Sequence, residues 1–192
     1  MKDLYGVGQE AEQELATFLG HRGYMVIPIS SFTNNTGAKI SAPMLVVGDS
    51  YSVSPDLLAI KDGKSMWIEV KRKSVPAYFY KWHCWVHGVD RQNIEAYRKA
   101  QKASGHPLFI CVLEDKSPLT PDLYLEWHER RPNGPEAEDL QGARQWLWIT
   151  LDDALEYGNF LVGNIEMVGP SNPEGCGLYW PRRCMRPFGQ AA

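Results

Sequence analysis

The chain lacks any apolar run close to the roughly 18 residues a membrane-spanning helix needs. It also lacks an excess of positive charge: 20 Lys and Arg stand against 23 Asp and Glu, for a net charge of −3. A tight, nonspecific nucleic-acid binder is usually basic, so any such partner must be met by local clusters. Those clusters are Lys71-Arg72-Lys73, Arg91 with Arg98 and Lys99, Arg130-Arg131, and Arg182-Arg183 with Arg186. Cysteine is scarce, with four residues and no CxxC pair. Cys111, inside the apolar run PLFICVL, reads as a buried thiol. His83, Cys84 and His87 with Cys176 and Cys184 match no common zinc-ligand spacing. The N-terminal stretch MKDLYGVGQEAEQEL carries no apolar signal core, so the expected location is the cytoplasm of the cell or of a phage-infected host. No repeat or low-complexity tract is present. A length of 192 residues with 44% hydrophobic content suits a single domain, 1–192, with a core at about 8–113 and an extension at about 114–192.

The most informative stretch is SPDLLAIKDGKSMWIEVKRK. Leu57–Ile60 and Met66–Val70 read as strands, and Asp62-Gly63 between them is a strong hairpin signal. A two-residue turn there makes Lys61 face Lys64. Counting outward, Ile60 pairs with Ser65 and Asp56 with Glu69. Paired residues share a face, and alternation adds Lys71 to the face of Glu69. Two carboxylates directly opposed destabilise a strand pair. A divalent cation with oxygen ligands would remove that repulsion, and Lys71 would then orient water or offset charge on a phosphate. The bland alternative is an ordinary Glu–Lys surface pair, which is the usual reading of an isolated ExK.

Around this hairpin the order is α/β. Residues 8–22 form an amphipathic helix with Ala11, Leu15, Phe18 and Leu19 on one face and Gly23 as its stop. Residues 24–29 read as a strand, and Met44–Val47 with Ser50–Val53 as a small hairpin. The segment 76–89, PAYFYKWHCWVHGV, is aromatic enough to stack on bases but more often would be core or a subunit contact. Asp90 precedes a helix from Arg91 to about Ser104, closed by Gly105. Leu108–Leu113, Leu123–Trp127 and Trp146–Ile149 read as strands, and Thr150-Leu151-Asp152-Asp153 starts a short helix. The tail GPSNPEGCGLYWPRRCMRPFG is expected to be irregular or only partly ordered. The fold expected is a mixed central β-sheet flanked by helices.

These residues resemble the PD-(D/E)xK nuclease superfamily, of restriction-endonuclease-like fold, and within it the archaeal Holliday-junction resolvases and related phage nucleases. The resemblance runs through 8–29, 55–73 and, less specifically, 88–113. It implies a metal-dependent deoxyribonuclease using Mg²⁺ or Mn²⁺. Asp56 and Glu69 would hold the metal, with the Val70 carbonyl as a further ligand, and Lys71 would be the catalytic lysine. A glutamate of the first helix joins such sites. By this match it is Glu12, with Glu14 and Glu10 as competitors. Gln92, on the helix after the motif, and Lys73 are candidates for nucleic-acid contact. Four residues separate Gln92 from Tyr97 where the exonuclease branch has three, a departure from that branch; with no ring or end-binding feature visible, the expectation is an endonuclease on DNA, including branched or processed forms. The segment 30–54 and the residues after 113 exceed a minimal resolvase, so junction specificity does not transfer; they are where a homodimer surface would arise. The alternatives are a catalytically inactive nucleic-acid- or protein-binding module on the same fold, a phage assembly factor docking through 77–86, and a nuclease acting on RNA.

Overall fold

The structure, a computed structural model, describes residues 4–29, 44–47, 50–73, 76–115, 144–161, 167–168 and 177–188. Helix α1 (Leu4–His21) leads to strand β1 (Met25–Pro28). A hairpin of β2 (Met44–Val47) and β3 (Ser50–Val53) follows, then β4 (Leu57–Lys61) and β5 (Lys64–Lys73). Next come β6 (Ala77–Phe79), a 3-10 turn (Tyr80–Trp82), β7 (Cys84–Asp90), α2 (Arg91–Ser104) and β8 (Leu108–Glu114). The later elements are β9 (Gln145–Thr150), α3 (Leu151–Tyr157), β10 (Asn159–Leu161), β11 (Met167–Val168), β12 (Gly177–Pro181) and β13 (Arg186–Pro187). The expected strand Leu123–Trp127 and the loop RRPNGPEAED lie outside the described residues.

The fold is mixed α/β, with a six-stranded sheet in the order β1-β4-β5-β8-β9-β13. Strand β4 is antiparallel to both β1 and β5, and β13 to β9. Trp67 N donates to Pro107 O (2.9 Å) and Asp115 N to Lys73 O (2.9 Å). Those bonds advance together along both strands, so β5 and β8 run parallel. Strand β8 is buried almost throughout, as expected of a strand covered on both faces.

The chain divides into two compact units, each drawn from several segments. The first comprises Met1–Lys71, Gln92–Cys111 and Ile149–Asp152. In it, α1 buries Ala11, Leu15 and Leu19, one helical turn apart in succession. Gly23 ends the helix at φ +82°, a backbone only glycine adopts without strain. Helix α2 buries Ile94, Ala96, Tyr97 and Ala100. Its end is pinned by side chains: Trp67 Nε1 donates to Ser104 Oγ (2.8 Å), and Leu108 N to Gln101 Oε1 (2.8 Å). The second unit comprises Arg72–Arg91, Val112–Trp148 and Asp153–Ala192. It holds a five-stranded sheet, β10-β12-β7-β6-β11, antiparallel at every pairing.

The tail corrects one expectation. Residues 177–187 are not irregular: β12 pairs with β7 from Gly177↔Asp90 to Pro181↔Val86, and Leu178 and Trp180 are buried. The two glycines make room for it. A Cβ at Gly88 would lie 2.3 Å from the Tyr179 ring, and one at Gly177 would lie 2.8 Å from it. In the aromatic segment 76–89, Phe79 and Val86 are buried, Trp82 and Trp85 are half-buried, and Phe79 lies edge-to-face with Trp82 at 4.6 Å.

Candidate functional site

The β4–β5 hairpin sets the site. Its turn places Asp62 (φ 51°) and Gly63 (φ 73°) both at positive φ, the conformation a two-residue turn needs to match strand twist. The register is Lys61↔Lys64, Ile60↔Ser65 and onward to Leu57↔Ile68. One step further out, Asp56 stands opposite Glu69. Asp56 does not continue the ladder through its own backbone. Its main-chain carbonyl accepts from Ile29 N (2.8 Å), and its Oδ2 accepts from Val70 N (2.7 Å). The acidic side chain is thus drawn onto β5 by one backbone donor. The approach is fixed by Pro55, which is buried, and by buried Ser54, whose hydroxyl donates to Pro55 O (2.9 Å).

Glu69 is only 3% exposed. Lys71 Nζ forms an ion pair with Glu69 Oε1, as shared strand parity requires. Val70, between them, faces the opposite side and is buried. Asp56 is half-buried, and its carboxyl is pushed up to about 8. Burial is the chief cause, followed by the Glu69 charge; Lys71 and the Val70 N–H oppose it, and the charge of Glu12 adds to the rise. Glu12, half-buried on α1, therefore acts on the same carboxyl. Among the described residues no three His, Cys, Asp or Glu side chains converge to hold an ion. What converges is the pair Asp56 and Glu69 with Lys71, while Glu12 reaches Asp56 through its field. Lys73, at the end of β5, and Gln92, in the first turn of α2, are exposed.

The donor set fits a hard divalent cation. Two opposed carboxylates, one of them forced toward its neutral form, are what a bound dication would relieve. Asp56, Glu69 and the Val70 carbonyl could hold it.

A second polar cluster, in the other unit, was not foreseen. Glu114 is fully buried and saturated. Arg182 donates from Nε to Oε1 (2.5 Å) and from a terminal nitrogen to Oε2 (2.7 Å). Gln145 Nε2 donates to Oε2 (2.9 Å), and His87 Nε2 lies 2.9 Å from Oε1. Burial alone would raise the Glu114 carboxyl, but Arg182 and His87 outweigh it and hold it at about 2. Burial lowers the His87 imidazole, against the pull of Glu114. The cue in the sequence was slight: one carboxylate ending the apolar run PLFICVLE. His87 Nε2 is thus engaged by Glu114. Cys111 is buried as expected, and burial drives its thiol upward.

No family model matches the chain, and no curated protein matches it. Among solved structures it is similar to the Holliday junction resolvase Hjc of the archaeal hyperthermophile Archaeoglobus fulgidus. The match has 12% sequence identity and a TM-score of 0.43, covering 88% of this chain and 86% of that one.

Proposed function

We propose that this chain is a divalent-metal-dependent nuclease of restriction-endonuclease-like type that hydrolyses DNA phosphodiesters, as an endonuclease. The observation that carries the reading is the hairpin register, which sets Asp56 against buried Glu69 with Lys71 on the same face. An arrangement so costly without a cation is best explained by one.

The chain's own residues divide the work. Asp56, Glu69 and the Val70 carbonyl would hold the ion, Mg²⁺ or Mn²⁺, and Glu12 would steady it directly or through water. A bound dication supplies a water of lowered pKa and a Lewis acid for the phosphoryl oxygen. Lys71, on the same face as Glu69, would orient the attacking water and offset negative charge gathering on the phosphate. Lys73 and Gln92 hold flanking nucleic acid.

The test is nicking of supercoiled, branched and single-stranded DNA, with RNA alongside, in Mg²⁺ or Mn²⁺. A Glu69→Ala, Lys71→Ala double variant should lose at least about a thousandfold in rate. Wild-type activity in that variant would end the assignment. Binding of DNA without cleavage in any metal would favour a binding module on the same fold.

A further inference from the structure

The β9–β13 edge carries a feature that phosphodiester hydrolysis does not use. Arg186 pairs with Trp148 and Pro187 with Leu147, and Phe188 N donates to Trp146 O (3.1 Å). Paired residues share a face, so Trp146, Trp148, Arg186 and Phe188 lie together while Leu147 and Pro187 point the other way. Trp146 is buried beneath Phe188, edge-to-face at 6.4 Å. Trp148 and Phe188 are half-buried, and Arg186 is exposed. The Arg186 guanidinium carbon stands 5.1 Å from the centre of the Trp148 ring. Among the described residues strand β13 ends the sheet order. Arg183, in the 3-10 turn just before, is also exposed.

Charge selects the occupant. Among the described residues neither Arg183 nor Arg186 forms an ion pair, while Arg182 between β12 and Arg183 is fully committed to Glu114. The Arg186 guanidinium beside the Trp148 indole, with exposed Arg183 three residues earlier in the chain, forms a local site for anions that also carry flat rings, on a chain of net charge −3. A stacked guanidinium keeps its N–H edge free to donate to phosphate. A duplex hides its base faces and would engage only the arginines. An unpaired strand offers phosphates and base faces together.

We propose that Trp148, Arg186 and Arg183 form a contact for single-stranded nucleic acid, with a base stacking on the Trp148–Arg186 pair and the arginines taking the adjoining phosphates. The inference rests on the reading that the chain acts on nucleic acid, but it does not depend on cleavage.

The test is binding of labelled oligothymidine and of a duplex of equal length to the full chain in EDTA, read by anisotropy and by tryptophan quenching. The wild type should bind oligothymidine, and Trp148→Ala and Arg186→Ala should each weaken it about tenfold. Duplex binding should fall far less in Trp148→Ala. Trp148→Phe, which keeps a ring, should restore most of the single-strand affinity. If Trp148→Ala does not fold, Arg186→Glu at an exposed position must still abolish oligothymidine binding. No oligothymidine binding by the wild type, or equal affinity in a folded Trp148→Ala, Arg186→Ala double variant, overturns the proposal. An equal loss for duplex and single strand overturns it as well. Nuclease activity on supercoiled, branched and single-stranded DNA is a separate readout: its absence on all of them would sink the catalytic reading and leave this one standing.

Discussion

Glu69 and Glu114 are both buried glutamates on β-strands, and their surroundings differ in kind. Glu114 receives four side-chain contacts from Arg182, Gln145 and His87. Glu69 has one cationic neighbour, Lys71, and one like-charged neighbour, Asp56, whose carboxyl is displaced to about 8. A buried carboxylate whose lone pairs are all met is a joint in the structure. One set beside a second carboxylate, with a single lysine for both, is under-compensated, and such sites are where function accumulates. On the proposed reading, the two glutamates separate stability from chemistry within one chain.

The largest expected effect on stability is therefore at Glu114. Glu114→Ala leaves the Arg182 charge and the His87 donor without their partner, at a cost of about 3–5 kcal/mol. Denaturant unfolding measures it. A loss below about 1 kcal/mol would erase the contrast. The same group sets an acid limb. Its carboxyl is held at about 2 against an unfolded value near 4.5, so its contribution is complete above about 4.5 and is lost as pH falls toward about 2. The sum is roughly 3 kcal/mol. His87, kept neutral by burial, works in the same direction below about 6.5, where the unfolded chain takes up a proton that the folded one refuses. Glu114→Gln should flatten the lower part of the stability curve and, by removing the charge that pulls the His87 imidazole upward, steepen the upper part.

The two sites were unequally legible in the sequence. The Asp56–Glu69–Lys71 face follows from local arithmetic, since Asp62-Gly63 fixes the turn and every pairing after it is a count. Strand parity then places Lys71 without reference to the rest of the molecule. The Glu114 cluster draws on β7, β8, β9 and the turn after β12, so its members meet only through long-range pairing. The same holds for β12 itself. Its Gly, Pro and Arg content reads as irregular, yet Gly177 and Gly88 are there because the Tyr179 ring lies against both. Helix α1 was visible through Ala11, Leu15 and Leu19, but the influence of Glu12 on Asp56 was implied only by resemblance.

The next contrast is the response to metal. Asp56 behaves opposite to Glu114: its folded carboxyl is raised from 3.8 to about 8, so its instability is absent at low pH and grows as pH rises through that range. Mg²⁺ or Mn²⁺ should stabilise the wild type near pH 8, by about 2.7 kcal/mol at a hundred times the dissociation constant. Asp56→Asn keeps an acceptor for the Val70 N–H and removes the charge. It should be more stable than wild type by about 1–2 kcal/mol at pH 8 without metal, respond little to added metal, and lose nicking activity. Thermal melts with and without metal, at pH 5 and pH 8, separate these outcomes. A wild-type melting temperature indifferent to both ions would make Glu69 and Asp56 as structural as Glu114.

The smallest effects belong to the flanking contacts, where charge decides the form of the result. Lys73 is cationic, so if it meets phosphate it displaces a counterion. Lys73→Ala should then lower the salt dependence of DNA binding by about one unit of slope. Gln92 is neutral and displaces none. Gln92→Ala should shift affinity by about threefold at every salt concentration, with the slope unchanged. Plots of affinity against salt for the two variants should thus be tilted in one case and parallel in the other. A parallel shift for Lys73→Ala would remove it from the phosphate contacts. A changed slope for Gln92→Ala would mean that the substitution acts through the neighbouring Arg91 rather than through the amide.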